Sequence, residues 1–119
     1  MIAKTRILLY VDNVQTISEF WQTNLKAQVV ENLELPEKFV GTVLQLSPTT
    51  ELALFPKEFI RKYSPEVLDN LPSLMLFVDN FEQLHAQLPN TGVIMADNDI
   101  ATFNFSDPEG NYFVIAKNS

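Results

Sequence analysis

One histidine, His85, and no cysteine occur among the 119 residues of this chain, and those two facts remove much of the chemistry open to a small protein. Catalytic divalent sites are built mostly from imidazole nitrogen and carboxylate oxygen, with thiolate for softer metals. A Ser-His-Asp triad needs an imidazole base, for which His85 is the single candidate, and no G-x-S-x-G stretch to hold a nucleophilic serine on its turn is present. The three glycines, Gly41, Gly92 and Gly110, lie far apart and cannot form a glycine-rich phosphate cradle. His85 follows Phe81 by four residues and precedes Leu88 by three, which places it at the border of a helix face packed on a sheet, as a half-buried rim residue. The carboxylates Glu31, Glu34 and Glu37, and separately Asp97 with Asp99, are close enough in sequence to hold a hard cation. Neither group has the EF-hand pattern, and a solvated surface is the simpler reading.

Composition narrows the field further. A formal charge of -7, from 15 acidic and 8 basic residues without a basic stripe, would repel a phosphate backbone, so nucleic acid is not an expected partner. The absence of cysteine excludes disulfides and thiol nucleophiles and fits a reducing, cytoplasmic setting. No apolar run approaches the roughly 18 to 20 residues of a membrane span. With 46% hydrophobic residues, the chain is expected to form one domain over residues 1–119.

The elements that must position any site are written twice. RILLYVDNV (6–14) returns as SLMLFVDNF (73–81) at a shift of 67 (73 minus 6), and each copy runs from an alternating apolar strand into helical spacing. Asn13 or Asp12 is placed to cap a first helix with the stripe Val14, Ile17, Trp21 and Leu25; Asn80 is placed to cap a second, with Gln83 at the capping-box position. Asp-Asn at each junction therefore has a structural reason. Strand patterns follow at 28–35, 39–46 and 51–55 in the first half and at 93–96, 100–105 and 111–116 in the second. The last two strands of each half are joined by SPTT (47–50) and by DPEG (107–110), the latter suited to a type I turn. Residues 57–72 read as a connecting segment.

Two βαβββ units, the V-D-N helix starts and the closing hairpin F-S-D-P-E-G-N-Y-F-V-I (105–115) together resemble the vicinal oxygen chelate superfamily, the group of glyoxalases, bleomycin-resistance proteins and extradiol dioxygenases. The resemblance implies an α+β fold in which two modules, roughly 4–56 and 73–117, form curved mixed sheets around a cleft with helices on the outer face. Metal-dependent members place His, Gln or Glu at the start of the first strand of each unit and Glu in the last. Mapped residue by residue, those positions here are Arg6 and Ser73, Val114, and either Ala53 or Leu54. None is an ordinary metal ligand, so neither metal, other cofactor nor catalytic residue is expected.

The family pattern puts Arg6 inside the cleft, and strand alternation then brings Leu8 and Tyr10 with it. Leu54 from the last strand of the first unit joins this set, and Ser73, Met75, Phe77, Tyr112 and Val114 form the matching set of the second. An apolar and aromatic lining with few polar groups is the usual makeup of a small-molecule site. The expected function is metal-independent binding of an apolar or aromatic small molecule, similar to the bleomycin-resistance branch, by a cytoplasmic homodimer. The alternatives are a metal-dependent enzyme of glyoxalase or dioxygenase type, and an interaction module without a ligand.

Overall fold

A computed structural model describes residues 1–119, apart from the side chain of Asp97. The chain divides into two compact units, Met1–Pro72 and Ser73–Ser119. Each contains one strand, a helix and three further strands, in that order.

The first unit comprises β1 (Thr5–Val11), α1 (Val14–Leu25), β2 (Gln28–Glu34), β3 (Val40–Ser47), β4 (Thr50–Pro56) and α2 (Lys57–Tyr63). Its sheet has the order β1-β4-β3-β2, with β1 parallel to β4 and the other pairs antiparallel. The start of α1 is fixed as the sequence predicts: Asn13 is extended, and its side-chain oxygen accepts a hydrogen bond from the Thr16 amide at 3.0 Å. Lys26 ends the helix in the left-handed region at φ 60°. Ile17, Phe20 and Trp21 are buried, as are Leu9, Val11, Leu44, Leu52 and Leu54 on the sheet face that meets the helix. Gly41 is required by close approach, since a Cβ there would lie 2.9 Å from the Leu54 carbonyl oxygen.

The second unit comprises β5 (Met75–Val78), α3 (Phe81–Gln87), β6 (Met95–Asp97), β7 (Ile100–Ser106) and β8 (Tyr112–Lys117), with sheet order β5-β8-β7-β6. Phe81, Leu84 and Leu88 are buried, together with Phe103, Phe105, Phe113 and Ile115. His85 sits edge-on to Phe103, with ring centroids 4.7 Å apart, and its Nε2 lies 2.9 Å from the Gly92 carbonyl oxygen. It is a half-buried rim residue with a structural partner.

The predicted cap on α3 does not form. Asn80 makes no side-chain hydrogen bond to the helix start. Its ψ of 45° departs from the extended conformation through which Asn13 (ψ 98°) reaches its own helix amides. The DPEG turn, by contrast, is built around its aspartate. Asp107 is 3% exposed; its Oδ1 accepts from the amides of Glu109 and Asn111, and its Oδ2 from the Asn111 side chain, all at 2.9 Å. Gly110 supplies the left-handed exit at φ 81°. The most family-like stretch of the sequence is therefore a self-satisfied turn. Among the described residues, no helix is long and apolar enough to cross a membrane.

Candidate ligand-binding face

In each unit, strand alternation leaves one sheet face for the helix and one for the predicted site residues. Cross-strand register determines which residues share the second face, because a slip of one residue would exchange the faces.

In the first unit β1 and β4 pair Arg6 with Glu51, Leu8 with Ala53 and Tyr10 with Phe55, and β3 adds Gln45 and Val43 beside Glu51 and Ala53. Arg6, Leu8 and Tyr10 do share a face. Leu54 does not: it is fully buried, in register with Leu9 and Thr42 on the helix face, and Ala53 takes the place expected of it.

The Arg6 end of this face is occupied by charge. Arg6 Nε donates to Glu51 Oε1 at 2.9 Å and Nη2 to Glu31 Oε1 at 3.3 Å, while Lys4 Nζ donates to Glu51 Oε2 at 3.3 Å. The Glu51 side chain is only 11% exposed. The hydrogen bond with Glu51 raises the Arg6 pKa further above its ordinary value, and the same bond holds the Glu51 carboxyl below its own. Glu31, one of the carboxylates considered for cation binding, is thus tied to a guanidinium.

At the other end, Tyr10 lies edge-on to Phe55, Phe55 stacks near Phe59, and Phe59 contacts both Phe39 and Tyr63. Glu37 accepts hydrogen bonds from Lys62 Nζ and the Tyr63 hydroxyl, the first being the main reason its carboxyl lies below the usual range. Glu37 and Lys38 are left-handed at φ 58° and 66°, an unusual pair for residues with side chains. Between the two ends, Val43 and Ala53 are fully buried. The first unit therefore satisfies most of its own face.

In the second unit the register pairs Met75 with Val114 and Phe77 with Ala116; β7 sets Asn104 beside Val114, Ser106 beside Tyr112 and Thr102 beside Ala116, and β6 adds Met95 beside Thr102. No charged side chain occupies these positions. Met75 is 52% exposed, Phe77 55%, Met95 64% and Tyr112 67%. Ser73, just before β5, is exposed as well. At the β6–β7 hairpin end, a groove of about 450 Å³ is lined by Phe77, the hairpin residues Asn98, Asp99, Ile100 and Ala101, and the stretch Lys117, Asn118 and Ser119. That volume lies within the common range for small-molecule sites, about 300 to 1,000 Å³. Met95 and Asn104 share this face without having been named from the sequence, and Asp99, considered there for a hard cation, lines the groove. The alternation of Thr102, Asn104 and Ser106 against Phe103 and Phe105 carried the signal for Asn104.

The positions at which metal-dependent relatives of this fold carry ligands hold Arg6 and Ala53 in the first unit and Ser73 and Val114 in the second. A paired guanidinium, a methyl group, a hydroxyl and an isopropyl group do not fit a divalent cation. Among the described residues, no group of three or more His, Asp or Glu is arranged to hold a metal ion. Asp97, also considered for a cation, lies outside the described side chains.

No family model matches the sequence, and no curated protein matches it. Solved structures do match the fold over nearly the whole chain. TnmS3, an antibiotic-binding protein from Streptomyces, has a TM-score of 0.79 at 15% identity, covering 98% of this chain and 95% of its own. A glyoxalase family protein from Enterococcus faecalis has a TM-score of 0.70 at 23% identity, covering 98% and 96%. The fosfomycin resistance protein FosX from Listeria monocytogenes has a TM-score of 0.70 at 8% identity, covering 96% and 91%. Two βαβββ units in this strand order, matched to these structures over almost their full lengths, give the chain the fold of the vicinal oxygen chelate superfamily.

Proposed function

We propose that the protein is a metal-independent binder of small apolar or aromatic molecules, and that the ligand lies on the face carrying Met75, Phe77, Tyr112 and Val114. The observation that carries this reading is the exposure of Phe77 and Tyr112, 55% and 67%, on a sheet face where the register positions Met75, Thr102, Asn104, Ser106, Val114 and Ala116 are all uncharged. Large rings left in water offer stacking surface, and Met75 adds an adaptable, polarizable neighbour. Capture requires no bond to form or break. The similarity to an antibiotic-binding protein supports a ligand of drug-like size, and with it a role in resistance within the cytoplasm. Arg6 contributes to this reading by its engagement: a guanidinium already bonded to two carboxylates is a poor anchor for an anionic ligand. A homodimer is part of the same proposal, because a second copy would cover apolar side chains that one chain leaves exposed.

The test is a thermal-shift screen of drugs and aromatic metabolites, run with chelator and with added Zn, Ni or Mn. Ligand should raise Tm, and chelator should leave it unmoved, since removing a bound metal lowers stability by linkage. Elemental analysis finding about one transition metal per chain, the stoichiometry of a single catalytic site, would refute metal independence. Sedimentation equilibrium showing only a 13.6 kDa species at functional concentration would remove the dimer.

A further inference from the structure

The groove at the β6–β7 hairpin gives the proposed binding site a charge preference. We infer that it selects planar aromatic cations, with the ring on Phe77 and the positive group beside Asp99. Both residues line the same groove of about 450 Å³, with Ile100 and Ala101 supplying apolar wall. Among the described side chains, two charged ones border it. Lys117 is compensated from the other side, where its Nζ donates to Glu82 Oε2 at 2.7 Å. Asp99 is exposed at the hairpin tip and is the acidic side chain among the groove's described lining.

Turn geometry explains Asn98 and Asp99 in part: both are left-handed, at φ 49° and 66°, as a two-residue hairpin turn of the I′ kind demands. That demand is met equally by Asn-Gly, so it does not require a carboxylate. A cation in this groove gains twice, from the face of an aromatic ring and from a carboxylate within the same walls. The chain charge of -7 adds attraction at a distance.

This inference rests on the proposed binding function, and three fluorescent three-ring probes separate the two. 9-Aminoacridine is cationic, acridone neutral and anthracene-9-carboxylate anionic. Titrated against the full chain, 9-aminoacridine should bind about tenfold more tightly than acridone, the scale of one charge-assisted contact, and the carboxylate most weakly. Asp99→Asn should remove most of that preference without lowering Tm. Glu66→Gln, which deletes the same charge from an exposed site in the first unit, should leave the preference intact. Phe77→Ala should weaken all three probes. Equal affinities for cation and neutral probe, or a preference that survives Asp99→Asn, would overturn the inference. If acridone binding still depended on Phe77, the binding function would stand without it; if no probe bound, both would fall.

Discussion

The two units place different chemistry on equivalent positions of one backbone plan. A shift of 67 (73 minus 6) relates their first strands, and a shift of 61 (114 minus 53) relates their last. Where the first unit has Arg6 and Glu51 joined at 2.9 Å, the second has Ser73 and Tyr112. Leu8 and Ala53 become Met75 and Val114. Tyr10 has Phe55 as an edge-on neighbour with centroids 6.4 Å apart, whereas Phe77 is paired across the ladder with Ala116. In the first and last of these rows the first unit supplies its own partner and the second leaves a large side chain without one from the adjacent strand, while in the middle row Leu8 and Met75 are both exposed. Duplication preserved register and divided the work: one copy closes on itself, and the other presents surface.

The sharpest way to break this comparison is on the helix faces, where the copies are expected to differ in the same sense. Leu9 and Leu76 are equivalent positions (9 plus 67), but Leu9 is fully buried and Leu76 only partly, on a strand of four residues. Leu9→Ala should destabilise by about 2.7 to 5 kcal/mol, as for other buried leucines, and Leu76→Ala by roughly half as much. Urea denaturation measures both. Equal losses would mean that the second unit is packed as firmly as the first, and that its exposed rings do not reflect a lightly built unit.

A smaller effect distinguishes the open faces. Phe77→Ala should weaken an aromatic ligand by about 0.5 to 1.5 kcal/mol, the contribution of an aromatic pair, with little change in Tm. Tyr10→Ala should do the reverse, lowering Tm by a few degrees while leaving affinity alone, because its ring packs within the protein. Calorimetric titration of the two variants against one ligand from the screen decides the matter. Loss of affinity in Tyr10→Ala alone would move the site to the first unit.

Strand alternation and the repeat made the architecture legible, because both are local patterns. Whether Ala53 or Leu54 faces the site was not local. Both are apolar, and the choice depends on a two-residue turn, Pro48-Thr49, closed by the Ser47–Thr50 pair, and on a register shift between Gln45 and Ser47. The engagement of Arg6 was equally hidden, since its partners Glu51 and Glu31 lie 45 and 25 residues away and meet it only once three strands are aligned. Glu37 in a left-handed conformation carried no glycine or asparagine to announce it. That Phe77 and Asp99, each singled out in the sequence, line one groove was not legible, because Asp99 lies at a turn, beyond the reach of a rule about alternating strand faces.

The smallest predicted effect concerns the ion pair that sets the first unit apart from the second. Arg6→Ala leaves a largely buried carboxylate with only Lys4 beside it and should lower Tm by a few degrees near neutral pH. The pH dependence follows from Glu51, whose carboxyl is held below its ordinary 4.5 first of all by the Arg6 hydrogen bond. A depressed carboxyl stabilises the fold fully above its unfolded pKa, and that contribution disappears as pH falls through the folded value. Arg6 itself adds no slope in this range, since its pKa is raised from a value that already keeps it charged. Glu37 and Glu82 are also depressed and act in the same direction, so the comparison must be made between wild type and Glu51→Gln. The stability gap between them should be constant above about pH 5 and shrink below 4.5. A gap that widened on acidification would show that the Arg6–Glu51 pair does not hold this end of the face, and the asymmetry between the two units would lose its electrostatic half.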